Sequence, residues 1–201
     1  MQKKAEQKSE NNLISSSLLT TVLDQTMDDR KLVVLDMGLA TPATVNFFNQ
    51  SKCRLQFAAL IDVNIEQFNR EDYSHADRVK LFTEALNLSP DIKIDIFLFW
   101  DLFCYLSTPA IQALMEVLAP HVHVKSRAHS IGLLNARQDM FFCEYGINSS
   151  RHIWQQPNTA SQPTIYAYTR RDFENLFSYL KVDRSCLLSG NRVENLLMVS
   201  P

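Results

Sequence analysis

The chain has 201 residues, of which 46% are hydrophobic, enough for one domain with a full core. Twenty Lys and Arg against 22 Asp and Glu leave a net charge of -2, so nothing in the electrostatics asks for nucleic acid or an anionic membrane as partner. The four cysteines (Cys53, Cys104, Cys143, Cys186) stand far apart with no CxxC pair, which excludes clustered disulfide frameworks and zinc sites and reads as reduced thiols in a cytoplasmic protein.

Residues 1–12 are polar, read as a disordered tail, and lack the apolar core of a signal peptide. Residues 13–201 read as one domain. Leu13, Leu18, Leu19, Val22, Leu23 and Met27 form a weak amphipathic pattern, expected as a short helix and broken by Asp28-Asp29-Arg30. Leu32 to Leu35 is a first strand, nearly all apolar, as befits a strand covered on both faces. A helix follows from about Pro42 to Asn49, with Thr41 as N-cap and Pro42 as a good first helical residue. Leu55 to Ile61 is a second strand, ending at Asp62, and Asn64 to His75 looks polar and helical. Arg78 to Phe82 is expected as a short third strand ending near Thr83-Glu84. Lys93 to Trp100 is the strongest strand and holds the longest apolar run, Ile96 to Trp100, far too short to span a bilayer.

Thr108 to Leu118 is a clear amphipathic helix, with Ser107 and Pro109 at its start and Pro120 past its end. His121-Val-His-Val-Lys125 alternates and is expected as strand five. Residues 126–163 have no clean period and read as an insertion or acceptor-side segment near the carboxyl edge of the sheet. Arg170 to Leu180 reads as a helix, and Val182 to Leu188 with Arg192 to Val199 as an antiparallel hairpin around Ser189-Gly190-Asn191. Strands alternating with helices predict an α/β fold, a Rossmann-like three-layer sandwich with a mostly parallel sheet and a reversed final strand.

Acids recur at the predicted strand ends: Asp36, Asp62, Glu84 and Asp101. The carboxyl ends of parallel strands line one crevice, so these four would gather round one site. An acid after the second strand can accept both hydroxyl protons of a ribose. Asp36-Met-Gly38 is the tight turn between strand and helix that opens a nucleotide-cofactor site, yet it has one glycine where such turns carry two or three. His121-x-His123 is the pairing that comes nearest a metal site, but no ligand partner is spaced nearby and no metal is expected. Arg170-Arg171 with Asp172 and Glu174 reads as a solvated face, and His129, Arg137 and His152 as ordinary surface. Ser130 and Cys143 have no readable base, so a nucleophilic hydrolase is not supported.

These residues resemble the class I S-adenosylmethionine-dependent methyltransferases of the small bacterial kind. Val34-Leu-Asp-Met-Gly-Leu-Ala-Thr-Pro42 is similar to the first motif of that family, with Ala40 in place of a glycine. Asp62 falls where the family has its ribose-binding acid, and Glu84-Ala85 where it often has Asp-Ala beside the adenine. Ile94 to Leu106 resembles the fourth strand and the segment after it. Tyr168 to Phe177 and the terminal hairpin resemble the last helix and reversed strand. The resemblance implies S-adenosylmethionine as cofactor, held by Asp36, Gly38, Ala40, Thr41, Asp62, Glu84 and Asp101, with Trp100 and Tyr105 as walls and no identified catalytic base. It implies a methyl acceptor, small molecule or protein, that the residues do not specify. Pro42 removes an N–H from the helix start, which counts against a dinucleotide pyrophosphate more than against S-adenosylmethionine. The rival reading is a pseudo-methyltransferase acting as a binding or scaffold protein. An open space above Gly38 favours the enzyme, and a side chain filling it favours the scaffold.

Overall fold

The computed structural model describes residues 12–24, 31–60, 64–135, 142–158 and 163–200. The expected tail up to residue 11, Met27 with the Asp28–Arg30 break, Asp62 and Arg137 lie outside the described residues. The main sheet is built from β2 (Leu32–Asp36), β3 (Cys53–Phe57), β4 (Ile96–Trp100), β5 (Arg127–Leu133), β8 (Leu180–Leu188) and β9 (Arg192–Val199), in the order β3-β2-β4-β5-β9-β8. Neighbours from β3 to β5 are parallel, and β9 runs antiparallel to both β5 and β8. The final strand is thus the reversed one, as the terminal hairpin implies.

Helices cover both faces. On one, α3 (His75–Leu86) and α4 (Thr108–Leu118) pack Phe82, Leu86, Ile111, Leu114 and Leu118 onto Leu35, Phe97, Phe99 and Leu197. On the other, α1 (Leu19–Leu23) and α2 (Pro42–Phe48) join a second, three-stranded antiparallel sheet. That sheet consists of β1 (Leu13–Ser15), β7 (His152–Pro157) and β6 (Cys143–Ser149), in that order. Val34, Ile96, Leu98 and Ile131 meet Leu19, Val22, Phe48, Ile147 and Ile153 there. Burial on both faces explains why β2 and β4 read as unbroken apolar runs.

The N-terminal segment is half strand and half helix. Buried Glu194 in β9 anchors it: its carboxylate accepts from the amides of Ser17 (3.1 Å) and Leu18 (3.2 Å), from the Ser16 hydroxyl, and pairs with His129 Nε2 at 2.8 Å. His129 is therefore a core residue and not surface.

Several expected elements are corrected. Arg78–Phe82 lies inside α3. Ser74 and Asp77 form a capping box at its start, and Val79, Phe82 and Leu86 recur at helical spacing. The Arg78 guanidinium is buried and donates to the carbonyls of Phe68, Arg70 and Tyr73. The segment expected as helical from Asn64 to His75 holds a short 3-10 turn, Ile65–Asn69, and otherwise no helix until α3 begins at His75. His121–Lys125 is no strand either: Ala119–His121 is a 3-10 turn, and β5 starts at Arg127. Its alternating imidazoles serve as ties, His121 Nδ1 2.9 Å from the Ile92 carbonyl and His123 Nε2 2.9 Å from Asp95 Oδ1. Helix α5 spans only Arg170–Asn175, because Leu180 already belongs to β8. Residues 126–163 hold β5 itself and then the β6–β7 hairpin.

Candidate functional site

Strand order reverses between β2 and β4, and the crevice at their carboxyl ends is where such sheets take ligands. Asp36 ends β2 there, fully buried. Its Oδ1 accepts from the Gly38 amide at 2.8 Å and from the Trp100 indole N–H at 2.6 Å. Its Oδ2 has no partner. Burial pushes the carboxyl up to about 7, against the pull of the Gly38 and Trp100 hydrogen bonds. The turn then enters α2 through Thr41, whose Oγ1 accepts from the Thr44 amide at 3.3 Å. Thr41 and Pro42 act as cap and first helical residue, as their order predicts.

Trp100 closes this turn. Its pairing with β5 shifts register between Leu98 and Trp100, and its φ is +51°, a conformation that costs a non-glycine residue about 1–2 kcal/mol. The kink turns the indole across Gly38. A Cβ added there would stand 3.0 Å from Trp100 Cδ1 and 3.2 Å from Trp100 Nε1, so any larger residue would push the ring aside by a few tenths of an ångström. The other face of the indole stacks on Tyr145 of β6, 5.5 Å between centroids at 10°. Gly146 presses on the start of α2: a Cβ there would lie 2.3 Å from Thr41 Oγ1. The Ile147 amide donates to Thr44 Oγ1 at 3.1 Å. Asp36, Met37, Gly38 and Thr41 are all buried, while Ala40 is exposed.

A second buried acid follows Trp100 at the end of β4. Asp101, fully buried, accepts from the Tyr105 hydroxyl at 2.8 Å through Oδ2. Its Oδ1 has no partner. Burial lifts this carboxyl to about 7, opposed by the Tyr105 and Tyr145 hydroxyls. Arg192 Nη1 reaches Tyr145 Oη at 3.2 Å. Two ring systems thus carry a buried acid on either side.

Asp36 and Gly38 are tied to one another at the turn, Thr41 caps the helix that follows, and Asp101 follows Trp100 at the end of β4. Glu84 does not join them. It sits exposed on α3, 4.0 Å from Lys80, because the strand expected to end there is a helix. Trp100 and Tyr105 are both fully buried, the indole on Asp36 and the phenol on Asp101. Nothing in the sequence singles out Tyr145 as a site residue, and Gly146 is legible only as one of four glycines.

A cavity of about 510 Å³ opens further along the sheet, at the carboxyl end of β5. Phe103, Tyr166, Tyr168 and Phe173 form its aromatic walls, and Gly132 and Asn195 lie on its sheet side. Among the described residues no helix is long and apolar enough to cross a membrane.

No protein-family model and no curated protein matches the chain. Solved structures do. The glycopeptide N-methyltransferase MtfA superposes with a TM-score of 0.50 at 7% identity, over 92% of this chain and 96% of that one. The Burkholderia thailandensis 1,6-didemethyltoxoflavin-N1-methyltransferase gives 0.49 at 11% identity, over 92% and 78%. A putative type 11 methyltransferase from Sulfolobus solfataricus gives 0.48 at 15%, over 89% of each chain. Strand order, the reversed β9 and the superposition on MtfA together show that the chain has the Rossmann-like α/β fold of the methyltransferases.

Proposed function

We propose that the chain transfers a methyl group from S-adenosylmethionine to an acceptor held on the carboxyl side of the same sheet. The fold is a scaffold for many activities, so function has to be read from the site. The observation that carries it is the pair of unpartnered carboxylate oxygens, Asp36 Oδ2 and Asp101 Oδ1, at the carboxyl ends of β2 and β4. A buried acceptor without a donor costs about 1–3 kcal/mol, and a ligand ammonium removes that cost. The amino-acid end of S-adenosylmethionine brings an ammonium; its sulfonium brings the electrophilic methyl. Asp36 would hold the ammonium, with Thr41 at the start of α2, and Asp101 would contact cofactor or acceptor. Asp62 is assigned the ribose by its place in the sequence.

These polar groups fit that ligand. The space over Gly38 fits it only with the Trp100 indole withdrawn. A side chain held at positive φ is the kind of local strain that accompanies a movable site residue. The chain's own contribution would then be positioning and exclusion of water, through Tyr145, Tyr105 and Trp100. A cytosolic location goes with this reading, supported by four free thiols.

One observation favours a second reading, a non-catalytic binding protein on the same fold: the indole covers Gly38 and Gly146 covers Thr41, leaving only Leu39 and Ala40 of the turn toward solvent. Calorimetric titration with S-adenosylmethionine and S-adenosylhomocysteine separates the two. The proposal expects binding that Asp62→Ala abolishes. No binding at millimolar ligand would sink it and leave the second reading standing.

A further inference from the structure

The cavity at the end of β5 belongs to neither acid, and its lining has a definite chemistry. Its volume, about 510 Å³, lies within the range of small-molecule sites. Three of the aromatic side chains are held by contacts of their own, and the fourth, Tyr166, through its backbone. The Tyr166 amide donates to the Cys104 carbonyl at 2.7 Å, and the Tyr168 hydroxyl to the Leu106 carbonyl at 2.7 Å. Phe103 and Phe173 meet edge to face, 5.6 Å between centroids. Rings held in place present flat apolar surfaces and lose little entropy on binding.

Charge is nearly absent from the lining. Among the described residues no acid lines the cavity, and the one cation, Arg170, is largely exposed and paired with Glu174 at 2.9 Å. A charged ligand would lose its hydration there without gaining a counter-charge. One polar group is placed to orient a guest. Asn195 Oδ1 already accepts from the Ser185 hydroxyl at 2.7 Å. Among the described residues its Nδ2 is bound only to Ser130 Oγ at 3.5 Å, the limit of a hydrogen bond, and it lies 3.9 Å from where a Gly132 Cβ would stand. An amide N–H so weakly held is available to an acceptor on a guest.

We propose that this cavity binds a neutral, planar aromatic molecule of two or three rings carrying a carbonyl group, with the rings between the Phe103, Tyr166, Tyr168 and Phe173 walls and the carbonyl on Asn195. It rests on the methyl-transfer reading only in taking that molecule for the acceptor. Binding is measured without cofactor, so failure here and failure of S-adenosylmethionine binding are seen separately.

Coumarin is the probe. 2-Adamantanone, which has a carbonyl but no flat ring, and coumarin-3-carboxylate, an anion, are the controls. Calorimetry on the full chain is expected to show one saturable coumarin site, at least ten-fold tighter than for either control. Gly132→Leu fills the cavity from the sheet side, where a Cβ meets Val193 at an ordinary 3.6 Å, and is expected to weaken coumarin at least ten-fold with the melting temperature held. Should that variant fail to fold, Phe173→Ala removes one wall and makes the same comparison. The proposal is overturned if 2-adamantanone or coumarin-3-carboxylate binds as tightly as coumarin. It is equally overturned if the folded variant binds coumarin unchanged, or if no coumarin binds at its solubility limit.

Discussion

Asp36→Asn isolates the consequence of burying an acid under an indole. Asparagine keeps an oxygen for the Gly38 amide and the Trp100 N–H, and it cannot ionise. In the wild type the carboxyl titrates near 3.8 in the unfolded chain and at about 7 in the folded one. Between those values the folded state holds the extra proton. Stability therefore falls as pH rises through the window and levels off above about 7. The gap corresponds to roughly 4 kcal/mol once the group is ionised, of which roughly 3 kcal/mol develops between pH 5 and pH 8.5. Asp101 behaves alike in both proteins and cancels from their difference. Urea melts at the two pH values read this directly. The variant should gain about 3 kcal/mol on the wild type in going from pH 5 to pH 8.5. A difference that does not change with pH, or one that moves in favour of the wild type, refutes the burial argument.

Three further substitutions probe the packing round the turn and the anchoring of the N-terminal segment. Gly146→Ala drives a methyl into Thr41 Oγ1 and should lower stability by about 1–3 kcal/mol in the same melts, whereas an unchanged midpoint would show that β6 does not sit on α2. Glu194→Ala leaves His129 and the amides of Ser17 and Leu18 without their carboxylate; a loss of about 3–5 kcal/mol and faster proteolysis near residues 13–23 are expected. Trp100→Gly removes the indole and the positive-φ cost together. It should destabilise the fold by roughly 3–5 kcal/mol, yet bind S-adenosylhomocysteine at least ten-fold tighter than the wild type, as thermal shift with ligand would record.

Much of the layout was legible because β2 and β4 are buried on both faces, so their apolar runs have no competing reading. Thr41-Pro42 named the start of α2, and the short loop at Gly190 named the reversed β9. Arg78–Phe82 misled because its apolar residues suit a strand until Ser74 and Asp77 are recognised as a capping box. With that strand gone, Glu84 left the site. The alternation of His121 and His123 came from hydrogen-bonding needs at Ile92 and Asp95, which imitate a two-residue period. The closure of the turn was hidden for a different reason. Tyr145 and Gly146 reach Trp100 and Thr41 only through the pairing of a second sheet, over a hundred residues from α2 in the chain. The single glycine of the turn has a local reason in the structure, since the Trp100 indole lies against Gly38.

The central claim is that the Trp100 indole leaves Gly38 when the cofactor enters. The chain has two tryptophans, so Trp154→Phe leaves Trp100 as the single reporter. Titrating that variant with S-adenosylhomocysteine should shift its emission to the red in step with the binding heat, as a ring now 1% exposed moves toward water. Saturable heat with unchanged emission would contradict the displacement, and neither heat nor shift at millimolar ligand would contradict the function.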